Sequence, residues 1–163
     1  MATSCLLAES DPTSCTTGSD CVSATALARS HDLESWEWLG IVFAPSAPGW
    51  DVYCRRINSI IRYEEKYIAF YDGSASHLEN YEEKTGLAVS SDVRSWETLT
   101  AGGPVLTSEH ATGSLRYLDA VTTEEGIWAF FECARADGAH DLRVARLEVD
   151  HLHMAIEPGD SAG

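Results

Sequence analysis

Residues Gly86–Thr100, GLAVSSDVRSWETLT, repeat a pattern that first occurs at Ala26–Gly40, ALARSHDLESWEWLG. The identical positions are sixty residues apart and include Leu27/Leu87, Ala28/Ala88, Ser30/Ser90, Asp32/Asp92, Ser35/Ser95, Trp36/Trp96 and Glu37/Glu97. A fixed internal spacing of this size is typical of repeat architectures. Each copy predicts an apolar strand, a polar Ser-x-Asp turn in which the Asp carboxylate accepts backbone hydrogen bonds, and a second strand that opens with tryptophan.

A second block of sequence repeats at the same spacing. Glu64–Asp72, EEKYIAFYD, aligns with Glu124–Glu132, EEGIWAFFE, and Arg56 aligns with Arg116. Two collinear blocks at one offset are hard to obtain by chance. We therefore interpret the chain as tandem units of about sixty residues.

The units predict short antiparallel strands rich in β-branched and aromatic residues, with no convincing helical periodicity. Four strands in about sixty residues are typical of one β-propeller blade. The fold class predicted is all-β, with antiparallel four-stranded blades of a partial five-bladed propeller. The strands are expected at residues 24–30, 36–43, 56–63, 66–72, 85–90, 95–99, 115–122, 127–133 and 142–147.

The domain boundaries follow from these strands. Residues 1–22 are expected to form a polar N-terminal arm or a degraded earlier strand, and residues 151–163 a tail. Between them, residues 23–150 form the partial propeller. It divides into the outer strands of one blade at 23–48, a full blade at 52–106 and a further blade at 112–150.

Charge excludes two classes of partner. Eleven Lys and Arg against 26 Asp and Glu give a net charge of −15, whereas nucleic acids and anionic membranes require a basic surface. The first residues lack a basic signal region, and no apolar run is long enough for a membrane helix, so a cytoplasmic location is expected. The spacings of the five cysteines match no zinc-binding template. Cys54 and Cys133 are expected to be small buried residues, and a disulfide between two of the three N-terminal cysteines is left as an open alternative.

The motif Ser-x-Asp-Leu-x-x-Trp resembles the five-bladed β-propeller glycosidases, which include arabinanases, xylosidases, invertases, levanases and the related mannoside phosphorylases. His31–Glu37, HDLESWE, and Ser91–Glu97, SDVRSWE, carry the resemblance, as does the acidic strand Leu118–Val121 followed by a turn and an aromatic strand. Five blades would need about 300 residues. The chain is therefore expected to be a fragment, or to form a homodimer that completes the propeller.

The resemblance implies a carbohydrate-active protein, with glycoside hydrolysis favoured. Such enzymes place two carboxylates beside the scissile bond. The catalytic candidates are Asp119, Glu132 and Asp72. The alternatives are a structural ion pair between Asp119 and an arginine, and a turn at Asp72–Gly73.

Candidate substrate-binding residues lie at strand openings and in loops. An arginine there can hold a hydroxyl or an anionic group in a bidentate manner, or can form a structural ion pair. The candidates are Arg55, Arg56, Asn58, Arg116, Tyr81 and His110. No metal site and no cofactor is expected. The alternative function is a non-catalytic propeller segment that binds a glycan or a protein partner.

Overall fold

The computed structural model describes residues 22–45 and 48–148, and these contain nine β-strands and one short 3-10 turn. The predicted arm and tail lie outside the described residues. The strands match the predicted order, with bounds that differ by a few residues. They are β1 Thr25–Arg29, β2 Glu37–Phe43, β3 Cys54–Tyr63, β4 Lys66–Ser74, β5 Lys84–Ser90, β6 Glu97–Thr98, β7 Leu115–Thr123, β8 Gly126–Ala134 and β9 His140–Leu147.

The strands form three antiparallel sheets in chain order. The first sheet is β1-β2, the second is β3-β4-β5-β6 and the third is β7-β8-β9. All-β architecture and a four-stranded blade are thereby confirmed. In the part of the chain described, the helical content is limited to the 3-10 turn at His77–Glu79.

The repeated Ser-x-Asp turns have the same structure in both copies. Asp32 Oδ1 accepts hydrogen bonds from the backbone N–H groups of Glu34 and Ser35. In the second copy, Asp92 Oδ1 accepts them from the backbone N–H groups of Arg94 and Ser95. These backbone donors favour the ionised form, so they lower the pKa of both carboxyl groups. The turn delivers Trp36 and Trp96 to equivalent places, immediately before β2 and β6.

Two predicted boundaries are corrected by the structure. The strand predicted at 95–99 contains only Glu97–Thr98, because Ser95 is held in the turn by Asp92. Asp72–Gly73 is not a turn, because β4 pairs with β3 as far as Ser74. A Cβ at Gly73 would lie 2.4 Å from the Trp50 ring, so glycine is required there for packing.

Apolar side chains fill the spaces between successive sheets. The layer between the second and third sheets contains Ile61, Ile68, Phe70, Leu87, Leu115, Leu118, Ala120, Ile127 and Ala129. The layer between the first and second contains Phe43, Ile57, Ala69, Tyr71 and Ala88, with Trp96 partly buried against it. This stacking of sheets is what an arc of propeller blades requires.

One hydrogen bond between sheets repeats with the sequence. Thr25 Oγ1 donates to the carbonyl of Arg55 at 3.1 Å, and Thr85 Oγ1 donates to the carbonyl of Leu115 at 2.8 Å. Donors and acceptors are each sixty residues apart. The sixty-residue repeat therefore preserves a hydrogen bond between neighbouring sheets as well as the strands within each sheet.

Two smaller expectations can be compared with the structure. Cys54 and Cys133 are buried and unpaired, as predicted, and burial raises the pKa of Cys54 to about 12. No helix within residues 22–45 and 48–148 has the length and apolar character needed to cross a membrane.

Candidate functional site

Two arginine–carboxylate pairs occupy equivalent places in the second and third sheets. Arg56 is directly opposite Asp72 across β3 and β4, and Arg116 is opposite Glu132 across β7 and β8. Arg56 Nη2 lies 2.9 Å from Asp72 Oδ2, and Arg116 Nη2 lies 2.9 Å from Glu132 Oε2. Four of the residues predicted for the site are therefore brought together in pairs.

Tyr117 joins the two pairs. It lies where β7 departs from regular pairing, and its φ of 54° falls in the left-handed region. Its backbone N–H donates to Asp72 Oδ1 at 3.0 Å, across the boundary between the sheets. Its ring centroid lies 5.3 Å from the guanidinium carbon of Arg56 and 4.8 Å from that of Arg116, so both cations contact the ring.

Glu83 completes what we call the arginine–tyrosine cluster, namely Arg56, Asp72, Glu83, Arg116 and Tyr117. Its carboxylate is buried, with Oε1 at 3.4 Å from Arg56 Nη2 and Oε2 without a hydrogen-bond partner in the part of the chain that the structure describes. The sequence did not single out Glu83, because it lies in a polar acidic stretch before β5. Tyr117 was also missed, because nothing in a strand sequence marks a residue that leaves the regular ladder.

Burial dominates the electrostatics of this cluster. Desolvation raises the pKa of Asp72, although Arg56, the Tyr117 N–H and the neighbouring Asn58 side chain all act to lower it. Burial also raises the pKa of Tyr117, and the negative charge of Glu83 adds to this effect. Asp72 and Glu83 are inaccessible to solvent. Their chemical role in the observed structure is to hold Arg56.

Four predicted substrate-binding residues lie outside the cluster, although Asn58 is adjacent to it. Arg55 pairs with Asp51, in the connection between β2 and β3, at 2.8 and 3.1 Å, and its guanidinium group lies over the Phe43 ring of the first sheet. Tyr81 and His110 lie exposed in loops. Asn58 occupies the irregular stretch of β3 and lies beside Asp72.

Asp119 lies exposed on the face of the third sheet that turns away from the second. Within the described parts of the chain it forms no ion pair, so the predicted alternative of a pair with Arg116 or Arg56 is not found. Asp119 is opposite Phe130, and Glu132 is two residues further along β8 on the same face. The two carboxylates are therefore diagonal neighbours, roughly 7 Å apart at their Cβ atoms.

The described residues contain no group of three His, Cys, Asp or Glu side chains placed to bind a metal ion. The polar groups of the cluster are instead two guanidinium groups, which are 18% and 13% exposed, and the phenol of Tyr117. Arg116 Nη1 is buried and has no hydrogen-bond partner among the described residues. The arrangement is suited to hydrogen bonding and ring stacking with a polar ligand.

Solved structures of glycoside hydrolases share this architecture. A family 117 glycoside hydrolase, Zg3597, from Zobellia galactanivorans aligns with 76% of this chain and 38% of its own, with a TM-score of 0.62 and 14% identity. An endo-arabinase from Bacteroides thetaiotaomicron aligns with 78% of this chain and 43% of its own, with a TM-score of 0.57 and 18% identity. Sucrose-6-phosphate hydrolase from Lactobacillus gasseri aligns with 76% of this chain and 25% of its own, with a TM-score of 0.56 and 15% identity.

The described part of this chain has the fold of a partial β-propeller, like the corresponding parts of these glycoside hydrolases. The predicted resemblance to the five-bladed propeller glycosidases is thus confirmed at the level of the fold. The chain spans less than half of the length of each of these three structures. No protein-family model matches the chain, and no curated protein matches it.

Proposed function

We propose that this chain binds a glycan through the arginine–tyrosine cluster, as one part of a glycoside hydrolase-like propeller. The observation that carries the proposal is Tyr117, a residue that is 37% exposed and whose ring is flanked by two guanidinium groups. An aromatic ring presents an apolar face to a sugar ring, and arginine donors can reach the hydroxyl groups at its edge.

The buried carboxylates support this arrangement. Asp72 and Glu83 both contact Arg56, and Asp72 also holds the backbone of Tyr117. They fix the positions of the platform and of one donor before a ligand arrives, which lowers the ordering cost of binding. Glu132 holds Arg116 through Nε and Nη2, which fixes the guanidinium group against the Tyr117 ring.

Tyr117→Ala tests the binding proposal. We expect an array of neutral and acidic oligosaccharides to identify a ligand, and titration calorimetry to show about a fivefold loss of affinity in the variant, because stacking contributes about 1 kcal/mol. Tyr81→Ala is the matched control, since Tyr81 is exposed but lies outside the cluster. An equal loss in both variants, or none in Tyr117→Ala, would contradict the proposal.

Hydrolysis is the second candidate function, and the pair Asp119 and Glu132 favours it. These carboxylates share one face of the third sheet, with Asp119 exposed and the Glu132 side chain 37% exposed, and glycosidases use such a pair of Asp or Glu residues. Asp72, the third catalytic candidate, is buried and would need a structural opening to reach a substrate. Release of nitrophenol from aryl-glycosides by this chain, lost in Asp119→Asn, would favour hydrolysis over binding alone.

The predicted homodimer also stays a proposal. The described residues of each chain form three sheets, so two chains would supply at least six sheets to a ring that has five positions in the glycosidases. A closed pair would therefore have to leave one sheet outside the ring or adopt a six-sheet ring. Light scattering on the purified chain distinguishes a dimer from a monomer.

A further inference from the structure

The Ser-x-Asp turn of the second sheet forms one wall of a surface pocket that shares no residue with the arginine–tyrosine cluster. The pocket has a volume of about 360 Å³. Its lining includes Lys66, Val89, Ser91, Ser95, Trp96 and Glu97, and we call it the Trp96 pocket. Ligand pockets in proteins span about 300–1,000 Å³, so this pocket has room for a ligand at the small end of that range.

The Trp96 pocket lies at the opposite end of the second sheet from the cluster. Lys66 is the first residue of β4, whereas Asp72, which belongs to the cluster, is the seventh. Six steps along an extended strand separate these two residues by about 20 Å. A small ligand in the pocket therefore does not reach the cluster, and the two places are independent of each other.

Hydrogen bonds of the turn fix the aromatic wall of the pocket. Trp96 Nε1 donates to the carbonyl of Val93 at 3.2 Å, and the ring is partly buried against the layer between the first and second sheets. Ser90 Oγ accepts the N–H groups of Asp92 and Val93, so the turn before the ring is also held. The pocket is thus formed before a ligand arrives, which lowers the ordering cost of binding.

Two charged side chains in the pocket form no ion pair. Lys66 and Glu97 are both exposed, and neither pairs with the other or with any residue that the structure describes. The hydroxyl groups of Ser91 and Ser95 are also exposed, and they make no hydrogen bond within the described ranges. The pocket therefore presents one cationic donor, one anionic acceptor and two hydroxyl groups beside an aromatic ring.

The first copy of the repeat has an equivalent pocket in which the carboxylate is already paired. That pocket has a volume of about 300 Å³, and its lining includes Arg29, Trp36 and Glu37. Arg29 lies opposite Glu37 across β1 and β2, and its Nε donates to Glu37 Oε2 at 3.1 Å. In the second copy, the position opposite Glu97 is Val89, which cannot form this pair. The two copies thus differ in whether the carboxylate is free for a ligand.

The charges of the Trp96 pocket favour a neutral ligand that has both donors and acceptors. Glu97 repels an anion and Lys66 repels a cation, and the net charge of −15 further opposes an anionic ligand. Hydroxyl groups can donate to a carboxylate and accept from an ammonium group. The aromatic wall requires an apolar face on the same ligand. A sugar ring combines these features, because it carries hydroxyl groups at its edge and C–H groups on its face.

We propose that the Trp96 pocket is a second binding site, which takes one neutral sugar residue. Trp96 packs against the C–H face of the sugar, Glu97 accepts hydrogen bonds from its hydroxyl groups, and Lys66 donates to another hydroxyl group. The pocket of the first copy lacks a free carboxylate and binds far more weakly. The proposal does not depend on glycan binding at the arginine–tyrosine cluster, because the two sites share no residue.

Titration of the full chain with methyl glycosides of neutral hexoses and pentoses tests this site. The readout is the ¹⁵N–¹H spectrum, in which the Trp96 indole N–H and the Ser95 backbone N–H report on the pocket. We expect at least one neutral sugar to shift both signals in a saturable manner, and its uronic acid and amino sugar counterparts to bind more weakly. No saturable shift with any neutral sugar, or tighter binding of a charged counterpart, would overturn the proposal.

Two variants test the role of the free carboxylate. Val89→Arg recreates, opposite Glu97, the pair that the first copy forms, and Glu97→Gln removes the charge with little change in size. We expect each variant to weaken binding about tenfold or more, the factor that one hydrogen bond to a charged group represents. Glu97 is exposed, so Glu97→Gln provides the measurement if Val89→Arg does not fold. Unchanged affinity in Glu97→Gln would overturn the proposal.

Two further variants separate this site from the other candidate sites. Trp36→Ala alters the equivalent pocket of the first copy, and Tyr117→Ala alters the cluster, so both should leave the titration of the Trp96 signal unchanged. Loss of that titration in either variant would overturn the proposal, because the sugar would then bind elsewhere. A normal titration at Trp96 in a chain whose cluster binds no glycan would contradict only the proposed function, so the two failures are distinguishable.

Discussion

Replacing Asp72 by alanine should destabilise the protein far more than replacing Glu132 by alanine, although the two residues form equivalent ion pairs. Asp72 is fully buried, and its removal leaves Arg56 without its closest partner and the Tyr117 N–H without an acceptor. Breaking a buried pair in this way costs about 3–5 kcal/mol. Glu132 is 37% exposed, and loss of a solvent-accessible pair costs about 0–1 kcal/mol.

Urea denaturation followed by tryptophan fluorescence measures both effects. With a slope of about 1–3 kcal/mol per molar urea, the expected loss in Asp72→Ala moves the midpoint by about 1 M or more, whereas Glu132→Ala should leave it nearly unchanged. Asp72→Asn keeps an acceptor for the Tyr117 N–H and should fall between the two, which provides a measurement if the alanine variant does not fold. Equal losses in Asp72→Ala and Glu132→Ala would refute the reasoning.

Two other predictions concern packing and pH. Gly86→Ala should lower the free energy of unfolding by about 1–3 kcal/mol, measured by thermal or urea denaturation, because its Cβ would lie 2.4 Å from the buried Tyr71 ring. Gly102→Ala should be nearly neutral, because the space around Gly102 is open. Similar losses in the two variants would contradict this packing. The pKa of Asp92 is lowered by backbone N–H donors, of which Ser95 has the largest effect. The ionised Asp92 carboxylate therefore stabilises the folded protein above the unfolded-state pKa of about 4, and this stabilisation is lost as pH falls through the folded-state pKa. Carboxyl NMR titration should show the lowered pKa, and Asp92→Asn should remove this part of the acid dependence; an ordinary pKa would contradict it.

The repeat carried most of the fold information. The sixty-residue spacing and the two Ser-x-Asp turns identified the order of strands and the blade architecture, because both depend on local hydrogen bonding and on strand alternation. The extent of β4 beyond Asp72 could not be predicted from the sequence. Asp72–Gly73 has the composition of a turn, and only the approach of Trp50 explains the glycine.

The site was predicted only in part, for a different reason. Arg56 and Asp72, and likewise Arg116 and Glu132, are sixteen residues apart in each unit, and the alignment of the units indicated that they are equivalent. Their pairing depends on strand register, which the sequence did not define. Whether an acidic residue is buried depends on the next sheet, so sequence alone could not separate buried Asp72 from accessible Glu132.

The most direct test of the stacked-sheet architecture is amide hydrogen exchange at Tyr117 and Ala120. Both N–H groups point away from the β7–β8 ladder, and they are held by Asp72 and Ser59 of the preceding sheet. Stacking predicts that both exchange as slowly as the amides within the β7–β8 ladder. Rapid exchange at these two amides, while the ladder amides stay protected, would show that the third sheet is folded but not stacked on the second.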